Sequence, residues 1–243
     1  MKDYQPTMSF NETVAASYDL ALRGDEASTV AFLESLAQSG RTLELAIGTG
    51  RIALPLAARG VPVAGIDLSP AMVSQLRSKP GGEQIEVHIG NFADVDVPGP
   101  FHLIYVVFNT LFNLLTQEEQ VQCFVNVASR LEKGGRFVVE GGTPAEFYRL
   151  RNNQYVDAES IQVDHVRLDV ARFDPVRQLL EESHVTLSSA GIQVNPIVTR
   201  YAWPAELDLM ARIAGLQLQE RWGGWNREPF TSDSRNCISV YVR

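Results

Sequence analysis

Three features of this sequence predict an α/β fold built on a doubly wound, largely parallel sheet. The first is a strand, a glycine turn and a helix in succession over residues 41–58, Arg41-Thr-Leu-Glu-Leu-Ala-Ile-Gly-Thr-Gly-Arg51 followed by Ile52-Ala-Leu-Pro-Leu-Ala-Ala58. The second is a strand–helix rhythm that repeats five times up to Glu140, the pattern of a sheet covered by helices on both faces. The third is a change to period-two alternation over residues 161–201. That change marks an antiparallel meander inserted into the parallel fold.

Composition narrows the classes. With 243 residues, 45% of them hydrophobic, the chain is long enough for one large α/β domain or a domain with an insertion. The net charge of -8, the pI of about 5.1 and the lack of any Lys/Arg cluster argue against a nucleic-acid partner, which would meet a basic face. Cys123 and Cys237 have no metal-type spacing and read as buried thiols of a reducing compartment. Met1 to Phe10 has no apolar core, and no apolar run approaches the roughly 20 residues that span a bilayer. The expectation is a soluble, cytoplasmic protein without a membrane partner.

Each element has a local reason. Asn11 is placed to cap a short helix that ends at Tyr18-Asp19, and Val30, Leu33 and Leu36 give a second helix its apolar stripe. Leu43, Leu45 and Ile47 make the first strand, and Pro55 requires a place in the first turn of the helix that follows. Val61 to Asp67 is the second strand, and Ser69-Pro70 opens the helix after it. Ile85 to Ile89 is the third strand, with His88 read as a structural side chain. Phe101 to Phe108 is nearly all apolar, as a central strand buried on both faces must be, and His102 within it is read as structural. Thr116-Gln-Glu-Glu119 is a capping box, and Phe137 to Glu140 is the fifth strand. Ile161–Phe173, Val176–Leu187 and Ile192–Tyr201 form the three-stranded meander. A helix from Pro204 to Ala214 and strands at 216–222 and 237–242 complete the sheet, the last of them antiparallel.

Gly48-Thr-Gly50-Arg-Ile-Ala53 fits the dinucleotide pattern G-x-G-x-x-G/A. Glu44 discriminates, because a pyrophosphate gains nothing from a carboxylate whereas a ligand with a cationic amino-acid end does. Asp67 follows the turn at about the 20-residue distance of a group that takes a ribose diol. Through Glu44-Leu-Ala-Ile-Gly-Thr-Gly50 the chain resembles the class I S-adenosylmethionine (SAM)-dependent methyltransferases, with Ala46 where the commonest motif has a third glycine. Similarity over Tyr18-Asp19, Leu68 to Met72, Phe108 to Leu114, Phe137 to Glu140 and the inserted strands extends it to bacterial N-methyltransferases that tailor amino sugars and other natural products.

The resemblance implies a Rossmann-like seven-stranded sheet and an assignment of roles. SAM is the cofactor, S-adenosyl-L-homocysteine the product, and no metal is required. Glu44, Ala46, Gly48 and Gly50 hold the methionine end, Asp67 the ribose, and Leu68, Met72, Asn91 and Phe92 the adenine. Tyr18 and Phe108 lie near the methyl group. Tyr18, Asn113 and Glu140 are the catalytic candidates, although Asn113 stands where related enzymes often carry a histidine base. Asn109, Phe112 and the aromatic tail residues Trp222, Trp225 and Arg227 are expected to bind the acceptor. The division is residues 1–40 as a helical cap, 41–140 with 202–243 as the SAM domain, and 141–201 as an acceptor site or homodimer contact.

Alternatives remain at this stage. A hydroxyl acceptor would need a base, for which His165, His184 or Glu140 stand available. An NAD(P) protein or a non-catalytic SAM-binding protein is also compatible. The Asn-Pro-Pro turn of base-amine methyltransferases is absent at Phe108-Asn109-Thr110-Leu111. The three lysines, Lys2, Lys79 and Lys133, form no Tyr-x-x-x-Lys pair of a reductase.

Overall fold

The computed structural model describes residues 4–20 and 23–243. A seven-stranded sheet has the order β10-β11-β5-β4-β1-β2-β3. Its strands are β1 (Thr42–Leu45), β2 (Val63–Asp67), β3 (Glu86–Ile89), β4 (Phe101–Val106), β5 (Leu131–Gly142), β10 (Gln217–Trp222) and β11 (Asn236–Val242). The five strands from β3 across to β5 are parallel, while β11 runs antiparallel to both β5 and β10. The order reverses direction after β1, so the β1 and β4 ends flank the crevice in which open α/β sheets bind ligands.

The helices are α1 (Glu12–Ser17), α2 (Glu26–Ala37), α3 (Ala53–Ala58), α4 (Pro70–Arg77), α5 (Gln117–Arg130) and α6 (Pro204–Ile213), and α1, α4 and α5 start where the sequence provides a cap. Asn11 accepts from the Val14 amide, Ser69 from Met72, and Thr116 and Glu119 cap α5 reciprocally. Pro55 falls in the first turn of α3. β5 is longer than expected because Phe101 already pairs with Leu131 before the register shifts. Phe124 of α5 packs edge-on against Phe137 and Tyr241, with ring centroids 5.1 and 5.8 Å away, and joins α5 to the buried apolar side chains of β5 and β11. Among the described residues, no helix is long and apolar enough to cross a membrane.

The inserted region differs from the expectation in strand number. It is a separate four-stranded antiparallel sheet of β6 (Gln154–Ile161), β7 (His165–Asp174), β8 (Leu179–Ser188) and β9 (Gly191–Arg200). The expected first strand of the meander, Ile161–Phe173, is in fact broken by the turn at 162–164, and its residue Ile161 pairs back onto Val166. The extra strand β6 was hidden because Asp157, Glu159 and Ser160 interrupt its alternation, and a bulge between Ala158 and Ser160 shifts its register.

Truncating Phe124 to alanine is expected to cost about 3–5 kcal/mol, as for other fully buried aromatic side chains. Urea unfolding of Phe124→Ala checks this, and a loss under about 1 kcal/mol would show that the α5 contact is not part of the cooperative core.

Candidate active site

A cavity of about 980 Å³ opens at the C-terminal ends of β1, β2 and β4 and continues onto one face of the four-stranded sheet. Its inner wall is the first turn of the nucleotide-binding corner. Glu44, on the last part of β1, is 3% exposed and accepts the Tyr105 hydroxyl at 2.9 Å. Burial pushes its carboxyl up to about 8, against the opposing pull of the Tyr105 hydrogen bond. Ala46 and Gly48 follow at φ +55° and +54°. The third glycine of the common motif therefore corresponds to a left-handed position, which alanine occupies here at a cost of about 1–3 kcal/mol. A Cβ on Gly48 would come 3.3 Å from the Met72 methyl and close over the crevice.

Asp67 ends β2 and also lines the cavity. Its carboxylate accepts from the Gly48 amide at 2.7 Å and from the Ser69 amide at 2.8 Å. Burial raises its pKa and these two amides oppose the rise. Leu68, half-exposed, and Met72, buried, lie beside it on the wall. Asn91 and Phe92 complete this end. The Asn91 Oδ1 is held by its own turn, accepting from Ala93 at 3.0 Å, which leaves the amide nitrogen to face a ligand.

The central strand delivers a strained floor. Phe108 and Asn109, neither of them glycine, have φ of +59° and +61°. The buried carboxylate of Glu140 accepts the Phe108 amide at 2.7 Å and pairs with Arg23 at 3.0 Å. The Arg23 guanidinium lies 4.4 Å from the Phe108 ring centre. The Asn109 side chain accepts from the Gly142 amide, and Phe112 packs close to Gly141. Phe108, Asn109, Phe112 and Asn113 all line the cavity.

Residues 4–20 form the outer wall. Asp19 accepts from Thr49 Oγ1 at 2.7 Å and pairs with Lys79 at 2.5 Å, which clamps the segment onto the glycine turn. Its neighbour Tyr18 lines the cavity, with a hydroxyl pKa raised by burial and lowered by the Arg51 guanidinium 5.5 Å from its ring centre. Ser69 Oγ donates to the Phe10 carbonyl at 2.7 Å and Ser9 Oγ to that of Pro196 at 2.6 Å. The segment thus bridges the two sheets.

Several expectations require correction. Glu140 does not line the cavity; both its oxygens are committed to Arg23 and Phe108, so it holds the floor in place and touches no acceptor. Gly50 is turned away from the cavity, and its φ of +78° and the close approach of Leu54 and Leu76 account for the glycine. Trp222, Trp225 and Arg227 also lie elsewhere. Trp225 stacks edge-on against Phe32 of α2, Arg227 covers the same ring, and Trp222 joins the cluster on that side of the sheet. The apolar face of α2 needed covering, and the tail supplies it. His88 and His102 pair with Glu86 and Glu132 outside the cavity, in line with their structural reading. The thiols Cys123 and Cys237 are buried and free.

Other cavity residues were not singled out from sequence. Arg51 lines the wall with its guanidinium between the rings of Tyr18 and Phe108, paired with Glu26, and its Nε is buried without a partner. Its place directly after Gly50 was the available signal. The four-stranded sheet contributes His165 and His184, which the sequence offered as bases, and, beyond those, Arg167, Glu182, Gln193 and Asn195. The Nδ1 of His184 lies 2.7 Å from Asp169, and Glu182 accepts the Tyr155 hydroxyl at 2.7 Å.

A cavity at the sheet's switch point, with a buried carboxyl under a glycine turn and a second acid on the next strand, is the place where open α/β sheets bind their ligands. Comparison with known proteins agrees. Residues 42–135 match the family model described as a methyltransferase domain. The CcbJ methyltransferase of Streptomyces caelestis superposes with a TM-score of 0.92 over 98% of both chains, at 37% identity. Cypemycin N-terminal methyltransferase of a Streptomyces species is 28% identical over 238 residues, 96% of this chain and 97% of that protein. CalS10, an amino pentose methyltransferase of Micromonospora echinaspora solved with SAM bound, shares the fold at a TM-score of 0.71 and 22% identity, over 96% of this chain and 97% of its own. The chain belongs to the SAM-dependent methyltransferase family.

Glu44, Asp67 and Glu140 are all raised by burial. An acid whose folded pKa exceeds its unfolded value binds more protons when folded. Its stabilising contribution is complete below the unfolded pKa and fades as pH rises through the folded one. The unliganded chain is therefore expected to lose stability between the ordinary glutamate value of 4.5 and about 8, and Glu44→Gln to flatten that loss. Urea unfolding across this pH range measures it; a slope that Glu44→Gln leaves unchanged would contradict the burial argument.

Proposed function

We propose that this enzyme transfers the methyl group of SAM to an amine nitrogen of a small-molecule acceptor. The observation that carries the reading is one continuous cavity with an acid-lined glycine corner at one end and a wall of polar side chains at the other. The cypemycin enzyme is an N-terminal methyltransferase, which supports nitrogen as the acceptor atom, and CalS10 acts on a sugar that carries an amine.

The residues fit SAM. Asp67 is positioned for the ribose diol, Met72, Leu68, Phe92 and the Asn91 amide for the adenine, and Glu44 for the methionine ammonium. A cationic amino group beside Glu44 favours its charged form and so reverses the effect of burial. Arg51 supplies the guanidinium for the methionine carboxylate, a donor that the sequence reading lacked. When bound, SAM would supply an electrophilic methyl carbon, to which the acceptor nitrogen would bond in line as the carbon–sulfur bond breaks and the thioether S-adenosyl-L-homocysteine leaves. The chain's part is alignment and exclusion of water, worth about 7–11 kcal/mol when geometry is well held. Tyr18 and Phe108 line the reacting region, and the Glu140–Arg23 pair keeps Phe108 there. Asn113 offers a hydrogen bond to the acceptor, and the proton lost by the amine passes to solvent.

Arg51→Met tests the cofactor geometry. Wild-type protein is expected to prefer SAM over decarboxylated SAM, and Arg51→Met to lose about ten- to a hundredfold of that preference. Calorimetric affinities for both ligands decide it. If wild type fails to bind SAM, the cofactor reading falls; if the preference survives in Arg51→Met, only the role of Arg51 falls.

O-methylation has one observation in its favour. Asp169 orients His184 through Nδ1, leaving Nε2 as a base on the cavity wall. Matched amine and alcohol acceptors separate the two chemistries. Turnover of amines alone, retained in His184→Gln, is the expected result, and alcohol turnover that His184→Gln abolishes would reverse the assignment. Metal independence is part of the proposal. Among the described residues, Glu159, Asp169 and His184 bring donor atoms within 4.8 Å of one another, so a chelator that stops turnover, with recovery on added metal, would point there.

A further inference from the structure

The four-stranded sheet presents its charges to the cavity unevenly. Register sets Asp157, Asp169, His184 and Asn195 side by side across β6 to β9, and Ser160, Arg167, Thr186 and Gln193 in the next row toward the strand tips. The first row holds two carboxylates. The second holds none: its hydroxyls, amide and guanidinium can all donate. Arg167, Thr186 and Gln193 line the cavity, and so does His165, two residues from Arg167 on the same face of β7. Among the described residues that line the cavity, the only guanidinium groups are those of Arg51, at the glycine corner, and Arg167, and no lysine joins them. In a chain of net charge -8, a row of donors centred on a cation is a local exception.

We propose that Arg167, with Thr186 and Gln193 beside it, binds an anionic group of the acceptor, a carboxylate or a phosphate, away from the atom that receives the methyl group. The inference rests on the reading of this wall as the acceptor site and adds a charge to the acceptor's far end. A guanidinium offers a planar fork that matches two oxygens of such an anion. Neighbouring strands lie about 4.8 Å apart, so the Thr186 hydroxyl, directly across from Arg167, reaches the same group. The acids set the direction. Asp169 in the adjacent row, and Glu182 on the cavity wall beyond it, repel an anion that moves toward the strand roots. The anion therefore has one favourable place along the wall.

The fork already holds a carboxylate. A bulge between Ala158 and Ser160 leaves Glu159 as the extra residue, and its side chain reaches the Arg167 guanidinium at 3.1 Å. Both side chains are 38% exposed, so solvent screens the pair and it holds weakly. β6 is an edge strand, which lets Glu159 swing outward. Glu159 is thus an internal competitor for the acceptor's anion, and its removal has the opposite effect to the removal of Arg167.

Calorimetric titration of the full chain saturated with S-adenosyl-L-homocysteine tests the proposal. The probes are straight-chain ω-amino acids of increasing length, their primary amides and the matching ω-aminoalkyl phosphates. At the best length, wild type is expected to bind the acid or the phosphate about ten- to a hundredfold more tightly than the amide. The tighter of the two identifies the anion. Arg167→Met is expected to remove the preference and Glu159→Gln to increase it, a response that a merely structural ion pair would not give. Unchanged affinity for S-adenosyl-L-homocysteine shows that both variants are folded. Equal affinity of wild type for acid and amide, or a preference that survives Arg167→Met, would overturn the proposal. Binding is read without methyl transfer, so a failure of the nitrogen reading in the turnover comparison of amines and alcohols leaves this test intact.

Discussion

The Asp67 carboxylate is the constraint on which the site depends. It sits at the end of β2 and accepts amides from Gly48 on one side and Ser69 on the other. Those two bonds lock the turn after β1 to the start of α4, so the two walls of the cofactor crevice have one anchor. They also explain the conformation of the turn. The Gly48 amide can point at Asp67 only because the chain passes through left-handed torsions at Ala46 and Gly48. Burial raises the pKa of Asp67, and the two amides oppose that rise.

A second buried acid does comparable work beneath the floor. Phe108 and Asn109 hold consecutive left-handed torsions, each costing about 1–3 kcal/mol, and such strain persists only where surrounding structure overdetermines it. Glu140 provides that determination by taking the Phe108 amide, and Arg23 neutralises Glu140 while covering the Phe108 ring. The segment that bears Tyr18 and the floor that bears Phe108 are thereby joined by one ion pair. A Glu at the end of a strand in such a fold reads as a catalyst from sequence. Its partners make it a support.

The parallel sheet was legible because period, turn chemistry and caps agreed with one another along residues 41–140. The places of Glu44, Asp67 and Asn91 on the cavity wall were legible because they follow from position at or just after β-strand ends. Two kinds of information were missing. Period-two runs say where strands lie but not where a bulge restarts the register, and this concealed β6. Aromatic and glycine-rich tails say that a loop will bury something but not which side of the sheet needs covering, and this misplaced Trp225 and Arg227. Arg51 was overlooked for a different reason: its neighbours Tyr18 and Phe108 come from distant segments, so the aromatic slot that holds its guanidinium exists only in three dimensions.

The inserted strands show the limit of binary patterning most clearly. Alternation runs from His165 to Val170 in β7 and from His184 to Ser188 in β8, and the ordinary inference turns the apolar residues toward the chain's own core. Here the core lies at the roots of the strands, where Ala171, Phe173 and Leu180 are buried. Beyond them the cavity occupies the side that a core would fill. Polar side chains line that cavity, so the same register that puts His184 and Arg167 on the inner wall turns the apolar set outward. The outward face is then a product of the register that serves the cavity.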